Sequence, residues 1–321
     1  MPDPGLPASP RPLLLAGPTA SGKSAVALEL ARALNGEIVS VDSMQVYRGL
    51  DVGTAKPSEA ELAAVPHHLI DVARLDETFD AARFLALAQS AIADIQARDR
   101  VPILCGGTGL YFNVYLNGLG TAPAPDPILR AELEATPLPA LLDELARLDL
   151  VTFNEIDIDN RRRVVRAVEV IRLTGQPFSQ QRARWSERAP ALIGRMFGLQ
   201  RDRDDLVRRI NRRVEAMFAA GLIEETRGLL AAGLENNRTA MQAIGYRQVV
   251  EHLQGERGRL ETIELIKVRT RQFAKRQLTW FRGQLDLTWF DLPAAESPGE
   301  TARRIQQALS AEETPGTNGR S

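Results

Sequence analysis

Residues Gly17-Pro18-Thr19-Ala20-Ser21-Gly22-Lys23-Ser24 spell G-x-x-x-x-G-K-[ST], the phosphate loop. The apolar run 12–16 precedes it. A helical pattern over 23–34 follows, with apolar residues at Val26, Leu30, Ala33 and Leu34. Strand, glycine turn, helix is the context in which this motif binds phosphate. Its glycines permit a tight turn whose N–H groups point at phosphate oxygens. The helix start adds the positive end of its dipole. Lys23 offers a cation to the terminal phosphates, and the Ser24 hydroxyl can ligate Mg2+. The loop alone does not say which phosphate compound it holds.

Around the loop, strands are expected at 12–16, 37–41, 68–72 and 101–105, and helices at 23–34, 58–64 and 79–98. Phe79, Phe84, Ala88, Ile92 and Ile95 share one broad apolar face in the last of these. The alternation predicts an α/β fold, a P-loop NTPase-like parallel sheet flanked by helices, over 12–120. Prolines 123, 125, 127, 137 and 139 then interrupt the rhythm. The stretch 121–190 reads as a mostly helical insertion domain. Residues 191–290 read as a return to the core. They carry one strand candidate at 193–199 and helices at 203–220, 222–233, 240–254 and 259–282. Gly221 and Gly233 end two of those helices. The ends, 1–11 and 293–321, are rich in Pro, Gly, Ser and Glu and are expected to be disordered.

The 321-residue chain has a net charge of −1, which excludes a global attraction to polyanions. That mean hides segregation. Residues 124–159 carry nine acids and two arginines; residues 160–188 carry eight arginines and two glutamates. Local basic surfaces of this kind suit a polyanion larger than one nucleotide. One cysteine, Cys105, excludes an internal disulfide and reads as a small buried hydrophobe. His67 and His68 are adjacent, so in a strand they point to opposite faces, which argues against a zinc pair. No apolar run is long enough to cross a bilayer, and the first residues lack the features of a signal peptide. A cytoplasmic, monomeric enzyme is expected.

Six further stretches fall in order along the chain. They are Asp42-Ser43-Met44-Gln45-Val46-Tyr47-Arg48, Pro66-His67-His68-Leu69-Ile70-Asp71 and Gly106-Gly107-Thr108-Gly109-Leu110-Tyr111. Arg163-Val164-Val165-Arg166-Ala167-Val168-Glu169-Val170, Ala243-Ile244-Gly245-Tyr246-Arg247 and Thr270 to Trp280 complete the set. Together with the phosphate loop they resemble the tRNA dimethylallyltransferases, also called tRNA isopentenyltransferases, from about Pro12 to Trp289. The resemblance implies a reaction. The dimethylallyl group of dimethylallyl diphosphate passes to N6 of the adenosine immediately 3′ of the anticodon, position 37 of tRNA. The phosphate loop would then hold the diphosphate leaving group rather than ATP, with Mg2+ as cofactor.

Asp42 sits at the carboxyl end of an expected strand, beside the loop, where ligands bind in open α/β sheets. An adenine amino group is a poor nucleophile and is helped by a base on its proton. The resemblance makes Asp42 that base; the alternative is a metal-orienting aspartate. It also brings Thr108 near the adenosine, although a helix N-cap would explain Thr108 too. Arg213 resembles the family arginine that holds diphosphate, with Arg209 one turn away as the other candidate. The RNA contacts it implies are Ser43, Met44, Gln45, Arg130, Arg162, Arg163, Val164, Val165, Arg166 and the run Gln242 to Arg247 (Ala243, Ile244, Gly245, Tyr246). Gln45 would hold neighbouring bases while the target is turned out. Lys267, Arg271 and Lys275 are spaced by four and form one stripe, either on RNA phosphates or on a solvated face.

Two other readings share the loop. A nucleoside or small-molecule kinase would use ATP, but lacks support from the Asp-Ser-Met-Gln motif and the arginine-rich insertion. An RNA-binding ATPase switch would form no covalent product.

Overall fold

The computed structural model describes residues 9–181 and 194–313. Expectations for residues 1–8, 182–193 and 314–321 lie outside it. Two compact units are present, one within Met1–Tyr115 and Ala189–Ser321, the other Leu116–Arg188.

The first unit is built on a six-stranded, all-parallel sheet. Its strands are β1 (Leu13–Ala16), β2 (Gly36–Val41), β3 (His67–His68), β4 (Val101–Gly106), β5 (Met196–Gln200) and β6 (Thr288–Asp291), in the order β3-β2-β4-β1-β5-β6. Leu13 to Ala16 are fully buried, as the central strand of a sheet covered on both faces requires. The chain leaves β1 towards β2 on one side and later resumes at β5 on the other. The carboxyl ends of β1, β4 and β2 therefore border the crevice where such sheets bind ligands.

Helices α1 (Lys23–Ala33), α2 (Glu59–Ala64), α3 (Ala81–Ala97) and α4 (Gly109–Asn117) follow the early strands. In α1 the residues Val26, Ala27, Leu30 and Ala31 are buried against the sheet with Leu15, Ile38 and Phe197. On α3, Phe84 stacks on Tyr111 with ring centroids 4.2 Å apart.

The second unit comprises α5 (Pro127–Ala135), α6 (Leu138–Leu148), α7 (Leu150–Glu155), α8 (Arg161–Thr174) and α9 (Phe178–Gln181). Its core gathers Leu133, Leu141, Leu145, Val164, Val165, Val168 and Ile171. Glu169 is fully buried there and accepts hydrogen bonds from the Arg130 and Arg166 guanidinium groups. Burial alone would raise its pKa; those hydrogen bonds outweigh it and hold the carboxyl below its ordinary value.

The first unit continues with α10 (Arg203–Ala219), α11 (Leu222–Ala231), α12 (Tyr246–Leu253), α13 (Arg259–Gln284) and α14 (Pro298–Glu313).

Four expectations need correction. The third strand is two residues long rather than 68–72, because Leu69 and Asp71 adopt left-handed backbone, φ 63° and 57°. The helix expected from 240 begins at Tyr246, since Gly245 takes φ 107°, which no helix admits. A sixth strand, Thr288–Asp291, has no counterpart among the expected elements. Residues 298–313, expected to be disordered, form α14, and Ala302, Ile305 and Leu309 are buried in the main core. A Ser297–Glu300 exchange of hydrogen bonds caps its start.

Candidate active site

The phosphate loop joins β1 to α1, and Gly22 caps the helix with φ 99°, a conformation that favours glycine. Two arginines hold its carbonyls. Arg201 Nε donates to Ser21 O at 2.7 Å and Arg209 Nε to Ala20 O at 2.9 Å. Gly17, Pro18 and Ser21 are buried, Ser21 fully, whereas Thr19, Ala20, Lys23 and Ser24 are at least partly accessible. Ser21 therefore belongs to the loop's underside, not to its ligand face.

A cavity of about 420 Å3 opens at the carboxyl edge of the sheet. It brings together Thr19, Lys23, Ser24, Asp42, Thr108 and Arg213, which are far apart in sequence. Lys23 Nζ donates to Pro18 O at 3.3 Å. Burial lowers its pKa and Arg213 adds to this, against an opposing pull from Asp42. Burial likewise lowers the Arg213 pKa, opposed by Asp42. The guanidinium of Arg213 donates to Thr54 O at 3.2 Å and lines the cavity, while Arg209 braces the loop from behind. Burial pushes the Cys105 thiol up to about 11, so it stays protonated and inert at neutral pH.

Asp42 directly follows β2. Its Oδ1 accepts from the backbone N–H groups of Met44 (2.8 Å) and Gln45 (3.2 Å). This Asx-type turn fixes the carboxylate and leaves Oδ2 without a donor among the described residues. Thr108 Oγ1 accepts from the Ser43 N–H at 3.0 Å. Thr108 thus stands where a cap would, at the start of α4, but spends its hydroxyl on the Asp42 turn.

Other expected residues are divided between the cavity and partners away from it. The Gln45 amide accepts from Ser40 Oγ at 2.9 Å and donates to Thr54 O and Ala55 O at 3.3 Å, so it ties down the 54–55 loop while lining the cavity with Ser43 and Met44. Tyr246 is fully buried. Its hydroxyl donates to Glu225 Oε1 at 2.5 Å and accepts from the Gly53 N–H at 3.0 Å, fixing the same loop. Val164 and Val165 are core residues of the second unit, and Arg130 and Arg166 serve Glu169. Arg162 and Arg163 are exposed. Lys267 is 8% exposed and bonded to Glu215 and Glu264, both at 2.8 Å, so it leaves the expected stripe. Arg271 donates to Asn211 Oδ1 at 2.9 Å, and Lys275 is exposed. Gln242, Ala243 and Ile244 border the cavity, while Arg247 pairs with Glu251 outside it. His68 Nε2 faces Glu37 at 2.6 Å and His67 Nδ1 faces Val65 O at 2.8 Å.

Three participants carry no role in the sequence reading. Arg201 braces the loop, and Phe273 lies 38% exposed on the cavity wall. Gln277, buried on α13, reaches the loop itself. The last two belong to the Thr270–Trp280 stretch, whose helical spacing is the signal that could have pointed to one inward face.

The family model described as IPP transferase matches residues 45–284. The tRNA dimethylallyltransferase 1 of Trichlorobacter lovleyi is 48% identical over 288 residues, 88% of this chain and 94% of that one. The crystal structure of a full-length tRNA isopentenylpyrophosphate transferase from Bacillus halodurans is 39% identical and covers 95% of this chain and 99% of its own, with a TM-score of 0.65. A eukaryotic dimethylallyltransferase, described as acting on tRNA, aligns with a TM-score of 0.78 at 25% identity over 97% of this chain and 82% of that one. With a phosphate loop, a carboxylate at the strand end and relatives of this kind, the chain belongs to the IPP transferase family, that of the tRNA dimethylallyltransferases.

Proposed function

We propose that this protein transfers the dimethylallyl group of dimethylallyl diphosphate to N6 of adenosine 37 in tRNA, releasing diphosphate. The observation that carries this reading is one cavity holding Lys23 and Arg213 on the donor side and Asp42 with an unengaged Oδ2 on the acceptor side. The N6 lone pair attacks the allylic carbon. The carbon–oxygen bond breaks and its electron pair leaves on the diphosphate. Asp42 takes the amino proton. Lys23, Arg213 and the loop meet the charge that develops on the leaving group.

The donor set fits a Mg2+ ion. Ser24 and Asp42 both line the cavity and supply hard oxygen donors there. Such an ion would rest on Ser24, diphosphate oxygens and water, as Mg2+ commonly does. When bound, it neutralises diphosphate charge.

Phe273 offers an aromatic face at the cavity wall, suited to a splayed base. Lys275 and Arg271 on α13, and separately Arg162 and Arg163, are the proposed backbone contacts. All catalytic groups come from one chain, so a monomer suffices. A tRNA substrate implies work in the cytoplasm. The kinase reading gains nothing from these relatives.

The test is direct. Purified protein, unmodified tRNA, dimethylallyl diphosphate and Mg2+ are incubated, and the nucleosides are weighed after digestion. N6-dimethylallyladenosine formed without ATP supports the proposal. A requirement for ATP, split in step with product, overturns it.

A further inference from the structure

Gln277 is 8% exposed and uses both ends of its amide across the cavity floor. Its Oε1 accepts from the Thr19 backbone N–H at 2.8 Å, and its Nε2 donates to Gly107 O at 2.8 Å. Thr19 belongs to the phosphate loop. Gly107 precedes Thr108, whose hydroxyl holds the Ser43 N–H in the Asp42 turn. The fit is close: a Cβ built on Gly107 would lie 2.4 Å from Gln277 Nε2, so a larger residue there would displace the amide. Two side chains, Gln277 and Thr108, which the Gly107–Thr108 peptide bond joins, thus link the diphosphate cradle to the turn that carries Asp42.

We propose that Gln277 is a positioning residue, a strap that sets the spacing between the donor loop and the Asp42–Thr108 acceptor turn. The inference rests on the function proposed above and extends it. Transfer needs the allylic carbon and the amino nitrogen in near-attack geometry, and small misplacements cost large factors in rate. Spacing between the two halves matters for that step far more than for holding either substrate. The strap also consumes the Thr19 N–H, so diphosphate must rely on the loop's other donors.

Two substitutions test this. Gln277→Met keeps the side chain's approximate volume and loses both hydrogen bonds. We expect kcat to fall about 10- to 100-fold while the Kd for inorganic diphosphate stays within about threefold. Gln277→Glu gives a sharper readout. Its carboxylate would oppose Gly107 O, but its protonated form restores one donor and one acceptor. Burial raises such a carboxyl's pKa. The charged or titratable groups on the surrounding walls are Lys23 on α1, Asp42 after β2, Cys105 on β4, Arg213 on α10 and Arg276 on α13. All are shared with the wild type, so the ratio of variant to wild-type kcat removes their own titration and leaves that of the introduced carboxyl, coupled to them. That ratio should rise several-fold as pH is lowered from about 8 to about 6. A flat ratio, or a Gln277→Met enzyme with wild-type kcat beside an active wild type, overturns the strap alone. A wild type that makes no prenylated adenosine overturns strap and function together. If Gln277→Met does not fold, the Gln277→Glu ratio decides.

Discussion

Thr108 Oγ1 lies 3.0 Å from the backbone nitrogen of Ser43 and accepts its hydrogen bond, joining the start of α4 to the turn that carries Asp42. The contact spans two separate βα connections. It makes the Asp42 carboxylate, the proposed base, depend on a hydroxyl 66 positions further along the chain, at residue 108. Thr108→Val keeps the shape and leaves the Ser43 N–H unpaired. An unsatisfied donor of this kind costs about 1–3 kcal/mol. If that cost falls on the active turn, kcat drops about tenfold or more. Thr108→Ser should keep most of the activity. Steady-state kinetics of the two variants check this, and equal rates would show that the turn holds without the bond.

Asp42→Asn separates basicity from geometry. The amide oxygen can still accept from Met44 and Gln45, so the turn survives. The proton acceptor is lost. We expect kcat to fall about 10²-fold or more, within the range for general-base catalysis, with diphosphate binding unchanged. Single-turnover rates measure the chemical step. A variant with wild-type turnover would leave Asp42 only a positioning role.

Lys23 should mark the alkaline limb of the pH profile. Burial lowers its pKa from the ordinary 10.5. The charged form is present at low pH and is lost as pH rises through that lowered value. Activity that needs the cation should therefore decline earlier than an ordinary lysine would dictate. Bound diphosphate favours the charged form, so the limb should be plainer in kcat/KM, which reports free enzyme, than in kcat. Lys23→Arg should move the limb upward. Profiles of both enzymes settle the assignment, and an unmoved limb would refute it.

Salt dependence distinguishes Lys267, Arg271 and Lys275 on α13. Lys275 is exposed and Arg271 partly so, whereas Lys267 is committed to Glu215 and Glu264. Replacing Lys275 with Gln should reduce the slope of log K against log salt by about 0.7–0.9, the increment for one phosphate contact. Lys267→Gln should leave the slope alone and lower thermal stability slightly. A slope that responds equally to both would restore the full stripe.

The phosphate loop announces β1, α1 and the ligand edge, because its spacing encodes a backbone conformation directly. The Asp42 turn is equally visible, as an aspartate ending an apolar strand. Partners across long sequence separations are not. Helical spacing groups Lys267 with Lys275, but two glutamates on different turns and helices decide where Lys267 points. Tyr246 reads as an RNA contact until Glu225 and Gly53 supply partners for its hydroxyl. Arg209 and Arg213 share a face and differ only in what that face meets. The end of the chain misleads through composition. Its prolines and glutamates outweigh an i, i+3, i+7 pattern of Ala302, Ile305 and Leu309.

The docking of α14 against α1 has a practical consequence. A chain shortened at residue 293, to trim what composition presents as a tail, would remove Ala302, Ile305 and Leu309 from the apolar cluster they share with α1 and the sheet, and would uncover part of it. The strip laid bare would adjoin the helix that begins at the phosphate loop. Such a product should self-associate and lose yield on expression, and any drop in turnover would be a fault of solubility, easily mistaken for damage to catalysis.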